Sequence, residues 1–286
     1  MASETGLSLR ALLDEGAARL AEAAGVGSPR REAHRLWAEL TGEGPAAGVM
    51  APDSAVAPDR AQSFLHAIRR RALGEPLAHV TGRIGFRHLT LRSDRRALIP
   101  RPETEGLVEL VLARAPCGRV ADVGTGSGCI ALSLATEGGY ELVIGVDLSA
   151  EALGLARENR ALTGARVALV RGSLCEPLAP GSLDALVSNP PYLTAAEHAA
   201  LDGSVRDWEP ALALSGGVEG LDAVVGLLDA GRAVLRPGGW LALEIDCARA
   251  AQCAWRAGAF GWTDVAIHAD LFGRERYLLA RRSDAP

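Results

Sequence analysis

The chain has 286 residues, 48% of them hydrophobic, and a formal net charge of -5 at pH 7. That length is too great for one small core and fits a large domain accompanied by a smaller one. An acidic balance argues against a sequence-blind nucleic-acid binder, whose affinity rests on phosphate contacts, and no run near twenty apolar residues is present to span a membrane.

Residues 1–10 lack a basic stretch followed by an apolar run, so no secretory leader is expected. Cys117, Cys129, Cys175, Cys247 and Cys253 are scattered and form no CxxC pair. They suggest neither a disulfide framework nor a metal site but free thiols in a reducing cytoplasm. All 30 basic residues are arginine, which reflects coding bias and not chemistry.

In chain order, Ser8 is placed to cap a helix with an apolar face of Leu9, Leu12, Leu13, Ala17 and Leu20. Ser28 followed by Pro29 marks the next start, with Ala33, Leu36, Trp37 and Leu40 as its stripe. Residues 42–58, rich in Gly, Ala and Pro, read as a loop. A third helix over about 58–73 is expected to bury Phe64, Leu65 and Ile68 and to leave Arg69, Arg70 and Arg71 as a solvated face. Residues 85–99 alternate enough for a β-hairpin linker carrying Phe86, Leu89, Leu91 and then Ala97, Leu98 and Ile99.

From about residue 103 the pattern changes to helices alternating with short apolar strands. The strand candidates are 119–123, 142–147, 167–171, 184–187, 240–245, 264–268 and 276–280, with helical stretches expected between the first five. Such alternation means a parallel sheet covered on both faces, and the last two strands, too close for a crossover helix, should form an antiparallel hairpin at one edge. The expected fold class is therefore α/β, a Rossmann-like, mostly parallel seven-stranded sheet. A small helical domain (1–75) precedes it, joined by the hairpin linker (76–102) to the main domain (103–286).

The first strand of that sheet runs into Asp122-Val123-Gly124-Thr125-Gly126-Ser127-Gly128, after which a helix begins. Three glycines let the backbone turn sharply and approach a ligand without Cβ clashes. Asp147 closes the second strand, where a carboxylate accepts hydrogen bonds from ribose hydroxyls. A glycine turn alone is a weak signal; strand, turn, helix, strand and acid in this order is a stronger one. The loop is Gly-x-Gly-x-Gly, with an acid two residues before the first glycine, whereas the dinucleotide fingerprint is Gly-x-Gly-x-x-Gly. Asp122 could pair, directly or through water, with a cationic amino-acid end of the ligand. These features favour S-adenosyl-L-methionine (AdoMet) as cofactor, with Asp122, Gly124, Thr125, Gly126, Gly128, Asp147 and Asn189 as its candidate contacts.

The fourth strand leads into Asn189-Pro190-Pro191-Tyr192. An amide nitrogen is a poor nucleophile with two N–H groups, so a site that methylates it must offer two acceptors. The Asn189 side-chain oxygen and the Pro190 carbonyl could supply them. Prolines carry no N–H and stiffen the loop. Pro191 belongs to the same wall, and Tyr192 could stack on a planar amide or base. Asn189, Pro190 and Tyr192 are thus the candidate catalytic residues. The tetrad specifies a planar NH2 group, on glutamine or on a nucleobase alike.

These motifs, with Glu75-Pro76-Leu77-Ala78-His79-Val80-Thr81-Gly82, Phe86, Leu98-Ile99-Pro100-Arg101-Pro102-Glu103-Thr104-Glu105, Glu209-Pro210-Ala211-Leu212 and Asp270-Leu271-Phe272-Gly273-Arg274-Glu275-Arg276, resemble the release-factor glutamine N5-methyltransferases over nearly the whole chain. The resemblance implies a class I AdoMet-dependent methyltransferase with a helical substrate-recognition domain. It also implies a glutamine in a glycine-rich loop of a peptide-chain release factor as target, and places Phe86, Arg101 and Glu105 near substrate or cofactor. A cytoplasmic monomer with no nucleic-acid substrate is expected. A sister family that methylates a ribosomal-protein glutamine shares the tetrad, and an N6-adenine methyltransferase or a non-catalytic scaffold are the other classes. The sequence departs from the family pattern at Ser173, where an acid and an aromatic near the adenine are usual, and at Asp246 and Arg249, which are expected to lie outside the reaction centre.

Overall fold

The computed structural model describes residues 7–283 except 24 and 45, so residues 1–6 of the segment read for a leader lie outside it. The chain separates into two units, one of residues 1–82 with 202–208, the other of 83–201 with 209–286.

The first unit is built on three helices, Leu9–Ala21, Pro29–Thr41 and Pro58–Ala72. Ser8 caps the first by accepting from the Ala11 amide at 3.3 Å. Ser28 makes no such bond, so the second helix begins on its proline alone. Leu9, Leu12, Leu20, Leu36, Phe64 and Ile68 are almost wholly buried, and Trp37 meets the Phe64 ring edge-on at 5.8 Å. Each such side chain contributes about 1.5–3 kcal/mol by leaving water.

Three details differ from expectation. Residues 42–58 are not all loop, because Ala47–Met50 makes a short helix. Leu40 is exposed at 41% and Leu65 only half-buried. The arginine run is not a solvated face. Arg71 is buried, with its Nε 2.8 Å from Glu32 Oε2 and a terminal nitrogen donating to the Gly25 carbonyl. Arg70 makes a two-pronged pair with Glu75 at 2.6 and 2.7 Å, and only Arg69 faces out. Helical periodicity places these guanidiniums near the core face, and buried carboxylate and carbonyl partners hold them there.

The second unit begins with a hairpin, β1 (Arg83–Phe86) and β2 (Leu89–Arg92), turned by Arg87 at φ 49°. Residues 93–100 continue it as irregular chain, so the expected strand at Ala97–Ile99 does not form. The main sheet comprises β3 (Cys117–Val123), β4 (Gly139–Asp147), β5 (Val167–Arg171), β6 (Leu183–Ser188), β7 (Leu235–Glu244), β8 (Trp262–Ala269) and β9 (Glu275–Arg282). Its order is β5-β4-β3-β6-β7-β9-β8, parallel from β5 to β7 and antiparallel at β9 and β8. No helix links β5 to β6; residues 172–182 form turns.

Both faces are covered. The helices Asp222–Val234 and Ala250–Ala259 pack on one face with Leu186, Leu241 and Leu278, and the helices Pro102–Arg114 and Cys129–Glu137 pack on the other with Ala185, Val187 and Leu279. Alternate residues of β6 thus enter opposite layers, as a strand buried on both sides requires. The hairpin sends Phe86 and Leu91 into the second of these layers. It is therefore part of this unit's core and not a free linker.

Candidate active site

Because β4, β3 and β6 are parallel neighbours in register, their carboxyl ends meet along one edge of the sheet. Val123 pairs with Val146, and Asp122 with Val187. The chain reverses direction across the sheet between β3 and β6, the position where open α/β sheets hold ligands. A cavity of about 290 Å³ opens there.

Its floor is the glycine turn. Gly124, Gly126 and Gly128 have φ of 73°, 57° and 86°, a left-handed conformation that side chains with a Cβ rarely adopt. Amides of Gly124 and Thr125 donate to the Val146 carbonyl at 2.8 and 2.9 Å, fastening the turn to the neighbouring strand. Gly124, Thr125 and Gly126 line the cavity; Gly128 instead caps the helix behind it.

Asp147 faces the cavity and accepts from the Gly126 amide at 2.8 Å and the Ser149 amide at 2.9 Å. Each carboxylate oxygen retains acceptor capacity for a hydroxyl. Burial raises its pKa, opposed by the amide bonds.

Asp122 is placed differently from expectation. It is fully buried, and one oxygen accepts from Thr125 Oγ1 at 2.6 Å and the Ala131 amide at 3.1 Å. It does not line the cavity. Burial pushes its pKa up to about 7. Through that one oxygen it braces the glycine turn against the next helix, while Oδ1 has no partner among the described residues.

The opposite wall comes from the tetrad. Asn189 and Pro191 line the cavity, Pro190 is buried behind them and Tyr192 is half-buried, with its phenol pushed up to about 12 by burial. Ser188 donates to the Val123 carbonyl at 2.5 Å and so ties the start of the tetrad to the glycine turn. Asn189 Nδ2 donates to Thr104 Oγ1 at 3.1 Å, and Thr104 Oγ1 donates to Glu244 Oε2 at 2.8 Å. Glu244 is almost wholly buried and its carboxyl is pushed up to about 7, by burial first, against the Thr104 bond.

Of the residues assigned by resemblance, Arg101 lines the cavity and pairs at 2.6 Å with Glu209, whose side chain is buried. Phe86 does not reach the cavity; it is 1% exposed in the core layer under the hairpin. Glu105 accepts from the Arg87 amide at 3.0 Å and also stands off the cavity. Hydrophobic burial of the ring and the pull of the hairpin turn on the carboxylate take both away from the site.

Sequence reasoning missed several supports. Thr104 enters only as one member of the run Leu98 to Glu105, with no role of its own, and Glu244 is not singled out because no Gly-x-Gly-x-Gly turn leads into its strand. Gly216 lies behind the tetrad, where a Cβ would come within 2.7 Å of Tyr192 Cα and 2.8 Å of the Pro191 carbonyl oxygen. Arg249 donates to both carboxylate oxygens of Glu197 at 2.8 Å and to the Glu219 carbonyl, and pairs with Asp246. The two departures at Asp246 and Arg249 thus fasten the segments that follow the tetrad, and neither lines the cavity.

Leu148, Gly172, Ser173 and Leu174 form a further part of the wall. A strand-end carboxylate for hydroxyls and an apolar slot for a planar base fit a nucleoside. An open glycine turn lets its polar tail approach the backbone. Beside it stands an amide-and-proline wall suited to an NH2 acceptor. Fold and site together define an AdoMet-dependent methyltransferase.

The comparisons narrow this class. Residues 103–205 match the methyltransferase small domain, and residues 11–82 match the PrmC N-terminal domain. The release factor glutamine methyltransferase of Deinococcus radiodurans is 42% identical over 97% of this chain and 99% of its own, and that of Moorella thermoacetica 43% over 97% and 100%. Among solved structures, a methyltransferase from Pyrococcus furiosus superimposes with a TM-score of 0.54 at 20% identity, covering 79% of this chain and all of that one. A ribosomal protein L11 methylase from Lactobacillus delbrueckii gives 0.51 at 23%, covering 70% and 98%. Both share the fold. The chain belongs to the release factor glutamine methyltransferases, and its cofactor is AdoMet.

Proposed function

We propose that this chain methylates the side-chain amide nitrogen (N5) of a glutamine in a peptide-chain release factor, the glutamine of a glycine-rich loop. The observation that carries the reading is the Asn189 amide at the cavity wall, held through Nδ2 by Thr104 so that Oδ1 is left to accept from a substrate N–H.

Bound AdoMet supplies an electrophilic methyl group on a sulfonium. Asp147 is placed to accept from ribose hydroxyls, and the glycine turn gives the cofactor's tail access to the backbone. Leu148, Ser173 and Leu174 form a slot for the base. Ser173 offers one hydroxyl there, and the apolar walls carry the rest of the recognition. On the other side Asn189 and the Pro190 carbonyl each take one amide hydrogen, and the stiff Pro190-Pro191 backbone holds the nitrogen in line. Positioning of this kind is a large part of the rate available to a group transfer. No strong general base is needed, since the nitrogen becomes acidic as it is alkylated. Arg101, anchored by Glu209, stands at the same cavity and is placed to hold the substrate backbone.

The helical unit is assigned to recognition of the release factor. A protein acceptor accords with the acidic net charge of -5, which disfavours a nucleic-acid substrate. The test is mass spectrometry of a release factor incubated with the chain and AdoMet. One methyl group on the loop glutamine is expected, and none when that residue is replaced by Ala. Continued incorporation into the replaced protein, or incorporation into added RNA or DNA, would overturn the assignment.

A further inference from the structure

Three side chains from three separate elements form a chain of hydrogen bonds that ends at the cavity. Glu244 closes β7, Thr104 lies in the first turn of the helix Pro102–Arg114, and Asn189 follows β6. Thr104 and Glu244 are each 2% exposed. A hydroxyl has one hydrogen to give, and an ionised carboxylate only accepts. With Glu244 ionised, the Thr104 hydrogen is committed to Glu244 Oε2, and Thr104 Oγ1 can only accept from Asn189. That places Nδ2 on the Thr104 side and turns Oδ1 to the cavity.

We infer that Thr104 and Glu244 are positioning residues that set the polarity of the Asn189 amide and thereby make the site select a side-chain amide over a carboxylate. The inference rests on the reading of Asn189 as an acceptor for the substrate amide. An amide substrate brings N–H donors to Oδ1. A carboxylate of the same shape brings only oxygen and is refused. Protonated Glu244 inverts the relay. Its O–H donates to Thr104, the Thr104 hydrogen passes to Asn189 Oδ1, and Nδ2 swings to the cavity as a donor facing a donor.

Inversion lies within reach of ordinary pH, because burial pushes the Glu244 carboxyl up to about 7. The charged groups around it are Arg101 and Arg276, which favour ionisation, and Glu103, which opposes it. Tyr192, Tyr277 and Cys129 also sense Glu244, but their own pKa values lie at about 12, so they stay neutral across the range concerned.

The experiment uses the full chain, AdoMet and a short peptide carrying the target glutamine, with the matching glutamate peptide as inhibitor. T104V is expected to keep AdoMet affinity and to lose about tenfold to a hundredfold in kcat, the range seen when the partner orienting a functional group is removed. Inhibition by the glutamate peptide should strengthen in this variant, and T104S should restore both properties. Wild-type kcat should fall as pH drops through about 7, and E244Q, which cannot titrate, should lose that acid limb. A purely structural role would move neither the glutamine-to-glutamate preference nor the pH limb. If N189A is inactive while T104V turns over normally, or if E244Q keeps the wild-type acid limb, the relay is wrong. If N189A itself turns over normally, the acceptor reading beneath it falls, and the inference with it.

Discussion

At the scale of single residues, two acids of the cofactor end separate by depth. Asp147 faces the cavity and Asp122 lies under it with no exposed surface. Asp147→Ala should therefore weaken AdoMet binding by about 1–3 kcal/mol, the loss of charge-assisted hydrogen bonds. Asp122→Asn, which keeps an acceptor oxygen for Thr125 and Ala131, should leave that affinity near wild type by calorimetry. Its effect should appear in stability against pH. Folding raises the Asp122 pKa from an ordinary 3.8 to about 7. The proton held by the folded chain stabilises it fully below pH 3.8, and this contribution is lost as pH rises through about 7. Wild-type melting temperature should decline between about pH 4 and pH 7, the window spanned by that shift, and Asp122→Asn should flatten the decline. An equal decline in both would show that Asp122 does not titrate there.

At the scale of elements, the tetrad owes its placement to a second loop. The Leu193 amide donates to the Leu214 carbonyl at 3.0 Å and the Gly216 amide to the Leu193 carbonyl at 2.8 Å, forming a short bridge beside the tetrad. Gly216 packs its bare Cα against Pro191 and Tyr192. Gly216→Ala forces a methyl group into that backbone, and overpacking of this kind costs about 1–3 kcal/mol. The expected result is a lowered melting temperature and a loss of turnover larger than any loss of AdoMet affinity, since the glycine turn lies on the other wall. Equal damage to both would mean that the two walls move together. The arginine run of the third helix teaches a related lesson. Arg69, Arg70 and Arg71 are identical residues, yet one is exposed, one is half-buried on Glu75 and one is buried on Glu32. For Arg71 the deciding partners, Glu32 and the Gly25 carbonyl, are distant in sequence.

At the scale of the whole molecule, every residue lining the cavity and both sheet-covering layers belong to the second unit. A chain beginning at Arg83, with 202–208 replaced by a short glycine linker, should bind AdoMet about as well as the full protein. It should methylate intact release factor far more slowly, by scintillation counting of transferred methyl. The segment 202–208 has to be replaced because it packs with the helical unit, and left alone it would present surface with nothing to cover it. Normal methylation by such a chain would remove the recognition role from the helical unit.

The sequence by itself determined the alternating strands, the glycine turn, the closing acid of β4 and the proline-stiffened tetrad. Each is written in consecutive residues whose backbone preferences and hydrophobic spacing act locally. Their meeting at one edge also follows from the sequence, since parallel strands of one sheet bring their carboxyl ends together. Depth and partnership were left to the tertiary structure. Phe86 enters the core because the hairpin folds onto the helix layer, Asp122 sinks because its strand is central, and residues 172–182 cross from β5 to β6 without the expected helix. Thr104, Glu244 and Asn189 come from three elements far apart in the chain, so their hydrogen-bond chain exists only once the sheet has closed around them. A hydrogen bond between distant residues depends on ångström-scale placement, which hydrophobic periodicity does not encode.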